Sequence, residues 1–487
     1  MLFNSLAFLI FFPAVTGLYF LLPHPFRWLL LLLASCAFYM AFIPVYIFIL
    51  FMTILIDYFA GIQIEKAQGR GRQFWLVLSI ISTCAVLFVF KYCDFFIINV
   101  NGAARVLHWN YSMKLMHIIL PIGLSFHTFQ SLSYVIEVYW GKQKAEHNFG
   151  IYALYVMFYP QLVAGPIERP QHLLHQFYEQ HVFEYQRVAD GLKLMTWGMF
   201  KKVVIADRLA IFVNHVYNRP GDFQGSTLLL ATVFFAFQIY CDFSGYSDIA
   251  LGSAQVMGFK LMQNFNRPYF AKSIAEFWRR WHISLSTWFK DYVYIPLGGN
   301  RVGYSRHAAN LFITFLISGL WHGANWTYVI WGALHGGYIV CGLTTRAWRE
   351  RLALYCGWAR WPALHKTVQI GCTFALVCLS WIFFRANSLP DALFICRRIF
   401  IVLHSVPGDW LAVVFDRSFG LPRRELALAY ALIAVLLGIQ WIQRRTHIRD
   451  VLPKFPQPLR WAMYFTLLLS IACLGVFGQN QFIYFQF

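Results

Sequence analysis

Runs of predominantly apolar residues recur along the whole chain, at roughly 2–22, 27–43, 45–62, 74–92, 117–140, 150–167, 191–217, 227–258, 309–323, 325–345, 367–386, 426–442 and 461–480. A membrane-crossing helix needs about 20 such residues. The pattern therefore predicts an all-α polytopic membrane protein. We expect about twelve (11–13) transmembrane or re-entrant helices around a central cavity or tunnel. Connections between the runs are short, which favours one membrane domain over 1–487. Its core would be roughly 115–345, flanked by peripheral helices in 1–110 and 365–487. The first run, MLFNSLAFLIFFPAVTGLYFLL, lacks a basic n-region and a small-residue cleavage site, so it is expected to remain as an uncleaved span.

Polar residues break the apolar pattern unevenly. Between 160 and 325 they recur inside it: Gln161, Glu168, Asp207, Gln238, Asp242, Asp248, His282 and His322. Such groups are costly in hydrocarbon and face a bundle interior or a wet cavity. Gly- and Pro-rich stretches punctuate the same region: 164–170, 243–248, 296–300 and 322–325. Irregular backbone at membrane depth is tolerated only where protein or cavity satisfies it. A functional cavity in this third of the chain is the expectation, with helix breaks at these stretches.

Composition agrees with the pattern. Of the 487 residues, 59% are hydrophobic and only 13% charged, with a mean hydropathy of +0.54; soluble domains carry about 25% charge. A soluble enzyme, a secreted disulfide scaffold and a disordered tail are excluded. The net charge of +19 does not indicate nucleic acid. Its arginines cluster at the ends of apolar runs (Arg70 and Arg72; Arg346, Arg349 and Arg351; Arg444, Arg445 and Arg449), as the positive-inside bias and anionic lipids require. These clusters put 63–73, 346–366 and 444–460 on the cytoplasmic side. The loop 387–425 should then lie opposite, yet it carries Arg397, Arg398, Arg417, Arg423 and Arg424. Either it holds an interfacial amphipathic helix or the span count shifts there. The ten cysteines include no CxxC pair and read as small buried hydrophobes.

The segment 276–292, EFWRRWHISLSTWFKDY, carries the most chemistry. Read as one helix, it gathers Trp278, Trp281, Leu285, Trp288 and Phe289 on one face and Arg279, His282 and Ser286 on another. That is either an interfacial helix anchored by Trp and Arg or a helix presenting His282 to a cavity. In LFITFLISGLWHGANW (311–326), Gly323 permits a turn just after His322, and Asn325 can bond the freed backbone. His322 is either satisfied by a carbonyl at the helix break or suited to take a proton from a hydroxyl. No second ligand is spaced for a metal site, and His335 reads as a packing neighbour of Gly332 and Gly336. His127, Gln130, Tyr134 and Glu137 form a stripe that is a conduit or, preferably, an interhelical hydrogen-bond ladder. Asp242 and Asp248 flank Gly245 as relay acids or partners of nearby cations. There is no GxSxG, Walker A, HExxH or GxGxxG motif.

Several blocks together resemble the membrane-bound O-acyltransferase family, in its alginate O-acetylase subunit I branch: PIGLSFHTFQSLSYVIEVYWG (121–141), YPQLVAGPIERP (159–170), YCDFSGYSDIALG (240–252), the run 264–301 around EFWRRWHISLSTWF, GLWHGANWTYVIWGALHG (319–336) and FIYFQF (482–487). The resemblance implies an enzyme of the bacterial inner membrane that passes an acyl group, usually acetyl, from a cytoplasmic donor towards an exported polysaccharide such as alginate or cellulose. It implies no permanently bound cofactor, acetyl-coenzyme A as donor co-substrate, and a periplasmic or membrane-tethered SGNH-type acetyltransferase as partner. His322 matches the family's catalytic histidine and His282 its second polar position, which would orient the donor or stabilise an oxyanion. Arg279, Arg280, Ser286, Asn325, Trp321 and Asp242 are the expected substrate-facing residues. A transporter and a non-catalytic export scaffold are the alternatives from other classes.

Overall fold

The computed structural model describes residues 1–163, 165–404, 422–444, 454–478 and 482–483. Arg417, Arg445, Arg449, Ala164, the centre of 387–425 and most of FIYFQF lie outside the described residues. The described chain is helical with no strand. Among the described residues, five helices are long and apolar enough to cross a membrane: Tyr46–Lys66, Gly69–Val106, Gly225–Met257, Pro362–Arg385 and Arg423–Ile442. Leu6–Leu21 is a shorter apolar helix. Most other apolar runs also contain helices, among them His24–Met40, Leu124–Tyr139, Tyr304–His322, Trp326–Thr344 and Gln457–Leu474. The run 150–167 does not form one helix. It breaks into Phe149–Met157 and Tyr159–Leu162, with Pro160 opening the second piece. Pro lacks an amide hydrogen and fits a helix best at its first turn.

Gly225–Met257 is the axis of the packing. Its 33 residues reach about 50 Å at 1.5 Å per residue. Buried side chains occur on every side of it, from Leu228, Ala231 and Phe235 to Ile249, Ala250 and Ala254, which is the signature of a helix surrounded by others. The Gly break expected at 243–248 is absent, because the helix runs unbroken through Gly245. Gly245 serves a different purpose. A Cβ on it would meet the carbonyl oxygen of Gly198 at 2.7 Å, and one on Gly252 would meet that of Gly191 at 2.6 Å. Two pairs of glycines thus let the neighbouring helix Tyr185–Met199 approach backbone to backbone, the usual device where no hydrophobic force separates helix from lipid. Gly245→Ala should lower the melting temperature of the detergent-solubilised protein, with a cost of about 1–3 kcal/mol for overpacking. Gly337→Ala is the matched control, since nothing lies within 4 Å of a Cβ there, and it should melt like wild type. Equal melting of the two variants would refute the close-approach role.

The segment 276–292 is not one helix either. It forms two short helices, Ile274–Trp278 and Ile283–Phe289, followed by a wide turn of π-helix, Lys290–Tyr294. The break falls at Arg279–His282. Ser273 caps the first piece by accepting from the Glu276 amide, and His282 opens the second from a left-handed conformation, φ 43°. Elsewhere, the stripe on Leu124–Tyr139 is buried and bonds outwards: Tyr134 Oη accepts from the Glu146 amide at 2.8 Å, and Glu137 accepts from Tyr292 Oη at 2.7 Å and Gln171 Nε2 at 2.9 Å. Those bonds tie the Tyr134 and Glu137 half of the stripe to neighbouring segments. In the arginine-rich segment, Leu389–His404 is a helix burying Ala392, Ile395 and Ile399, with Arg397 and Arg398 exposed beside Leu393, Phe400 and Ile401. All ten cysteines are free thiols.

Candidate active site

Tyr304–His322 and Trp326–Thr344 form a hairpin, with Gly319 against Gly332 at its crossing. The first helix ends at His322, and Asn325 opens the second by accepting from the Thr327 amide at 3.0 Å. Gly323, between them, has extended backbone, so it is not required for a left-handed turn. It is required for space: a Cβ there would sit 2.2 Å from the Tyr328 ring. Tyr328 can therefore pack over the helix end and close the region beside His322.

The His322 imidazole is buried, 4% exposed, within an aromatic wall. Ring centroids of Trp331, Trp321 and Phe384 lie 4.8, 4.9 and 5.4 Å from it. Trp321 in turn stacks on Phe129 at 4.8 Å. The last three carbonyls of the His322 helix have no partner within their own helix. The neighbouring helix Gly69–Val106 supplies them: Tyr92 Oη donates to Leu320 O at 3.0 Å, and Lys91 Nζ donates to Trp321 O at 2.7 Å and His322 O at 3.1 Å.

His282 approaches from the other block. It is fully buried, T-shaped against Phe243 at 4.6 Å and stacked on Phe126 at 6.3 Å; Phe126 also touches Trp321. A non-glycine residue with positive φ is strained and persists only where its surroundings fix it. Here Asn264 does so. Its Oδ1 accepts from the Ser284 amide at 3.2 Å and from Ser284 Oγ at 2.7 Å, and its carbonyl accepts from the Ile283 amide at 2.9 Å. The same Oδ1 lies 3.3 Å from His282 Nδ1. An amide oxygen only accepts, so Nδ1 carries the proton and, in the neutral ring, Nε2 presents a lone pair.

A third imidazole completes the group. His335, fully buried, is 4.9 Å from Trp331 by ring centroids, and the same indole lies 4.8 Å from His322. Trp278 Nε1 donates to His335 Nδ1 at 3.2 Å. Indole is only a donor, so the neutral His335 bears its hydrogen on Nε2, the tautomer opposite to that of His282. His322 lies within electrostatic range of His282, Lys91 and His335. Two histidines far apart in sequence are thus brought together with a third. The arrangement can take a proton from a hydroxyl and can also offer an N–H to a developing negative oxygen.

The remaining expected site residues divide. Trp321 packs against the His322 ring, and Asn325 Oδ1 caps the following helix. Ser286 Oγ donates to the Trp281 carbonyl at 3.2 Å. Arg280 is half-buried and paired with Glu276 at 2.6 Å, whereas Arg279 is exposed. Asp242 sits in a buried ion cluster, with Oδ1 2.7 Å from Lys202 Nζ and Oδ2 accepting from the Ile483 amide at 2.8 Å. Sequence reasoning passed over Lys91 and Asn264, and it read His335 only as a packing neighbour. The usable signals were a lysine at the centre of an apolar run, LFVFKYCDFF, and a buried-type Asn preceding a WH pair by 17 residues.

Comparison with known proteins joins this geometry to an activity. Residues 145–375, which hold His282, His322 and His335, match the membrane-bound O-acyltransferase (MBOAT) family. The Pseudomonas aeruginosa protein named Probable alginate O-acetylase AlgI is 41% identical over 443 residues, covering 89% of this chain and 81% of the relative. The Pseudomonas putida protein of the same name is 37% identical over 514 residues, covering 100% of both. A Helicobacter pylori peptidoglycan O-acetyltransferase is 36% identical over 533 residues, covering 100% of this chain and 98% of the relative. With that identity over nearly full length, and with long apolar helices converging on buried histidines, the chain belongs to the membrane-bound O-acyltransferase family and is a membrane-embedded O-acyltransferase.

Proposed function

We propose that this enzyme works in the bacterial inner membrane and moves an acetyl group from acetyl-coenzyme A, on the cytoplasmic side, to a hydroxyl bound for a cell-surface polysaccharide. The acceptor hydroxyl belongs to the glycan itself or to a periplasmic SGNH-type acetyltransferase that relays it. The observation that carries the reading is the convergence of His322 and His282, from separate helices, on one connected set of buried aromatic rings, through Phe126 and Trp321. Two further points support it. The relatives named above are O-acetylases of glycans, and the +19 charge favours an anionic donor.

In this reading His322 is the general base. It takes the proton of the acceptor O–H as that oxygen attacks the thioester carbonyl; the C–S bond then breaks, and the proton passes from His322 to the departing thiolate. His282 offers a lone pair at Nε2, so it orients a hydroxyl. The oxyanion needs a donor instead, and His335 Nε2–H is of that kind. Arg279 and Arg280, with Arg267 and Lys272 nearby in sequence, are assigned to the donor's phosphates.

Membranes containing the protein, given acetyl-labelled acetyl-coenzyme A, should pass label to a polysaccharide or to a serine of a periplasmic protein. Label transferred only from a D-alanyl or longer acyl donor would overturn the assignment of acetyl-coenzyme A. Label on neither a glycan nor an exported protein would overturn the acceptor.

A further inference from the structure

We propose that Lys91, assisted by Tyr92, is a positioning residue that clamps the end of the catalytic helix and so fixes the place of His322. The inference rests on His322 being the reacting imidazole. Lys91 lies in the middle of Gly69–Val106, one of the long apolar helices. A charge there is costly and calls for a reason. Among the described residues its side chain meets no carboxylate: the hydrogen-bond partners are neutral oxygens, Trp321 O at 2.7 Å, His322 O at 3.1 Å and, more weakly, Ser125 Oγ at 3.5 Å.

The reason lies in the helix it touches. The end of Tyr304–His322 leaves carbonyls without partners in their own helix, and it carries the negative end of the helix dipole. An ammonium answers both needs, because its three donors can serve two successive carbonyls while its charge opposes the dipole. A hydroxyl would serve one carbonyl only, and no neutral donor would oppose the dipole.

The backbone around Lys91 is adapted to this contact. Phe88–Tyr92 is a π-helical turn inside an otherwise α-helical rod, a local widening that often marks functional sites. Within it Lys91 and Tyr92, adjacent in sequence, reach consecutive carbonyls of one neighbouring helix end: Leu320 O from Tyr92 at 3.0 Å, then Trp321 O and His322 O from Lys91. The ammonium also lies over the Trp321 ring at 5.6 Å. All these bonds end on main-chain atoms or on the wall. The bonds from Lys91 and Tyr92 thus hold the His322 end of the helix through its main chain.

The test compares wild type, His322→Gln, Lys91→Met and Lys91→Arg as full-length proteins in membranes, at matched protein level, with whichever acyl donor the wild type uses. Lys91→Met should lower kcat roughly 10- to 100-fold, the scale of an ångström-sized misplacement, with KM for the donor almost unchanged. Lys91→Arg, which keeps charge and several donors, should regain most of the loss. A wild-type kcat in Lys91→Met, alongside an inactive His322→Gln, would overturn the clamp alone. A fully active His322→Gln would overturn both the base assignment and the clamp built on it. Should Lys91→Met fail to accumulate, Lys91→Gln decides by the same criterion: a reduced kcat at constant KM supports the clamp, and an unchanged kcat sinks it.

Discussion

His322→Gln should eliminate measurable acyl transfer while the protein still inserts and accumulates as wild type. Glutamine approximates the volume of imidazole and stays polar, so the aromatic wall of Trp321, Trp331 and Phe384 keeps its filler. The main-chain bonds from Lys91 and Tyr92 do not depend on the side chain at 322. What is lost is the group that accepts the hydroxyl proton, a contribution of about 10²–10⁴ in rate. The check is the initial rate of label transfer from donor to acceptor at equal protein level. A variant retaining more than a tenth of the wild-type rate would remove His322 from the chemistry and shift attention to His282, whose Nε2 lone pair is the other base in the site.

How far these residues could be read in advance differs by element. The apolar runs give the helices well, because a span must satisfy its own backbone and therefore announces itself as a long uninterrupted pattern. Periodicity fails at 276–292, where a single amphipathic face spans what is really a break. Trp278 and Trp281 both pack inwards just ahead of a left-handed kink at His282, which Asn264, 18 residues upstream, holds in place. Nothing local to the EFWRRWH stretch specifies that partner. The reverse failure occurs at Gly245, which looks like a helix breaker and is in fact a contact point, because its significance lies in Gly198 on another helix. The candidate site was legible through His322 and His282 once the blocks were set beside a known family. Lys91 was not, since a lone lysine in an apolar run looks like a snorkelling anchor until the helix end it serves is placed beside it.

The second large effect belongs to the buried cations, and it separates architecture from substrate contact. Lys202 is fully buried between Asp242, at 2.7 Å, and Asp207, at 2.8 Å. Lys202→Met would leave two carboxylates together in the interior with no cation, and breaking a buried pair in this way costs about 3–5 kcal/mol. The expected result is a severe loss of folded, monodisperse protein after detergent extraction, whatever the donor or acceptor. Asp242→Asn should lose less, because the amide can still accept from the Ile483 amide, as Asp242 Oδ2 does at 2.8 Å, and Lys202 keeps Asp207. Its donor and acceptor KM should stay near wild type if Asp242 only supports the architecture. A raised KM in a protein of normal thermal stability would instead make Asp242 a substrate contact. The decisive comparison is the triple change Lys202→Met, Asp207→Asn and Asp242→Asn. It removes every charge from the cluster and should recover stability relative to Lys202→Met alone, because the penalty comes from uncompensated charge and not from lost volume. Any such recovery also bears on the site. Asp242 precedes Phe243, whose ring rests on His282 at 4.6 Å and on Phe482 of the tail at 5.6 Å, so the cluster steadies one wall of the site through a single residue.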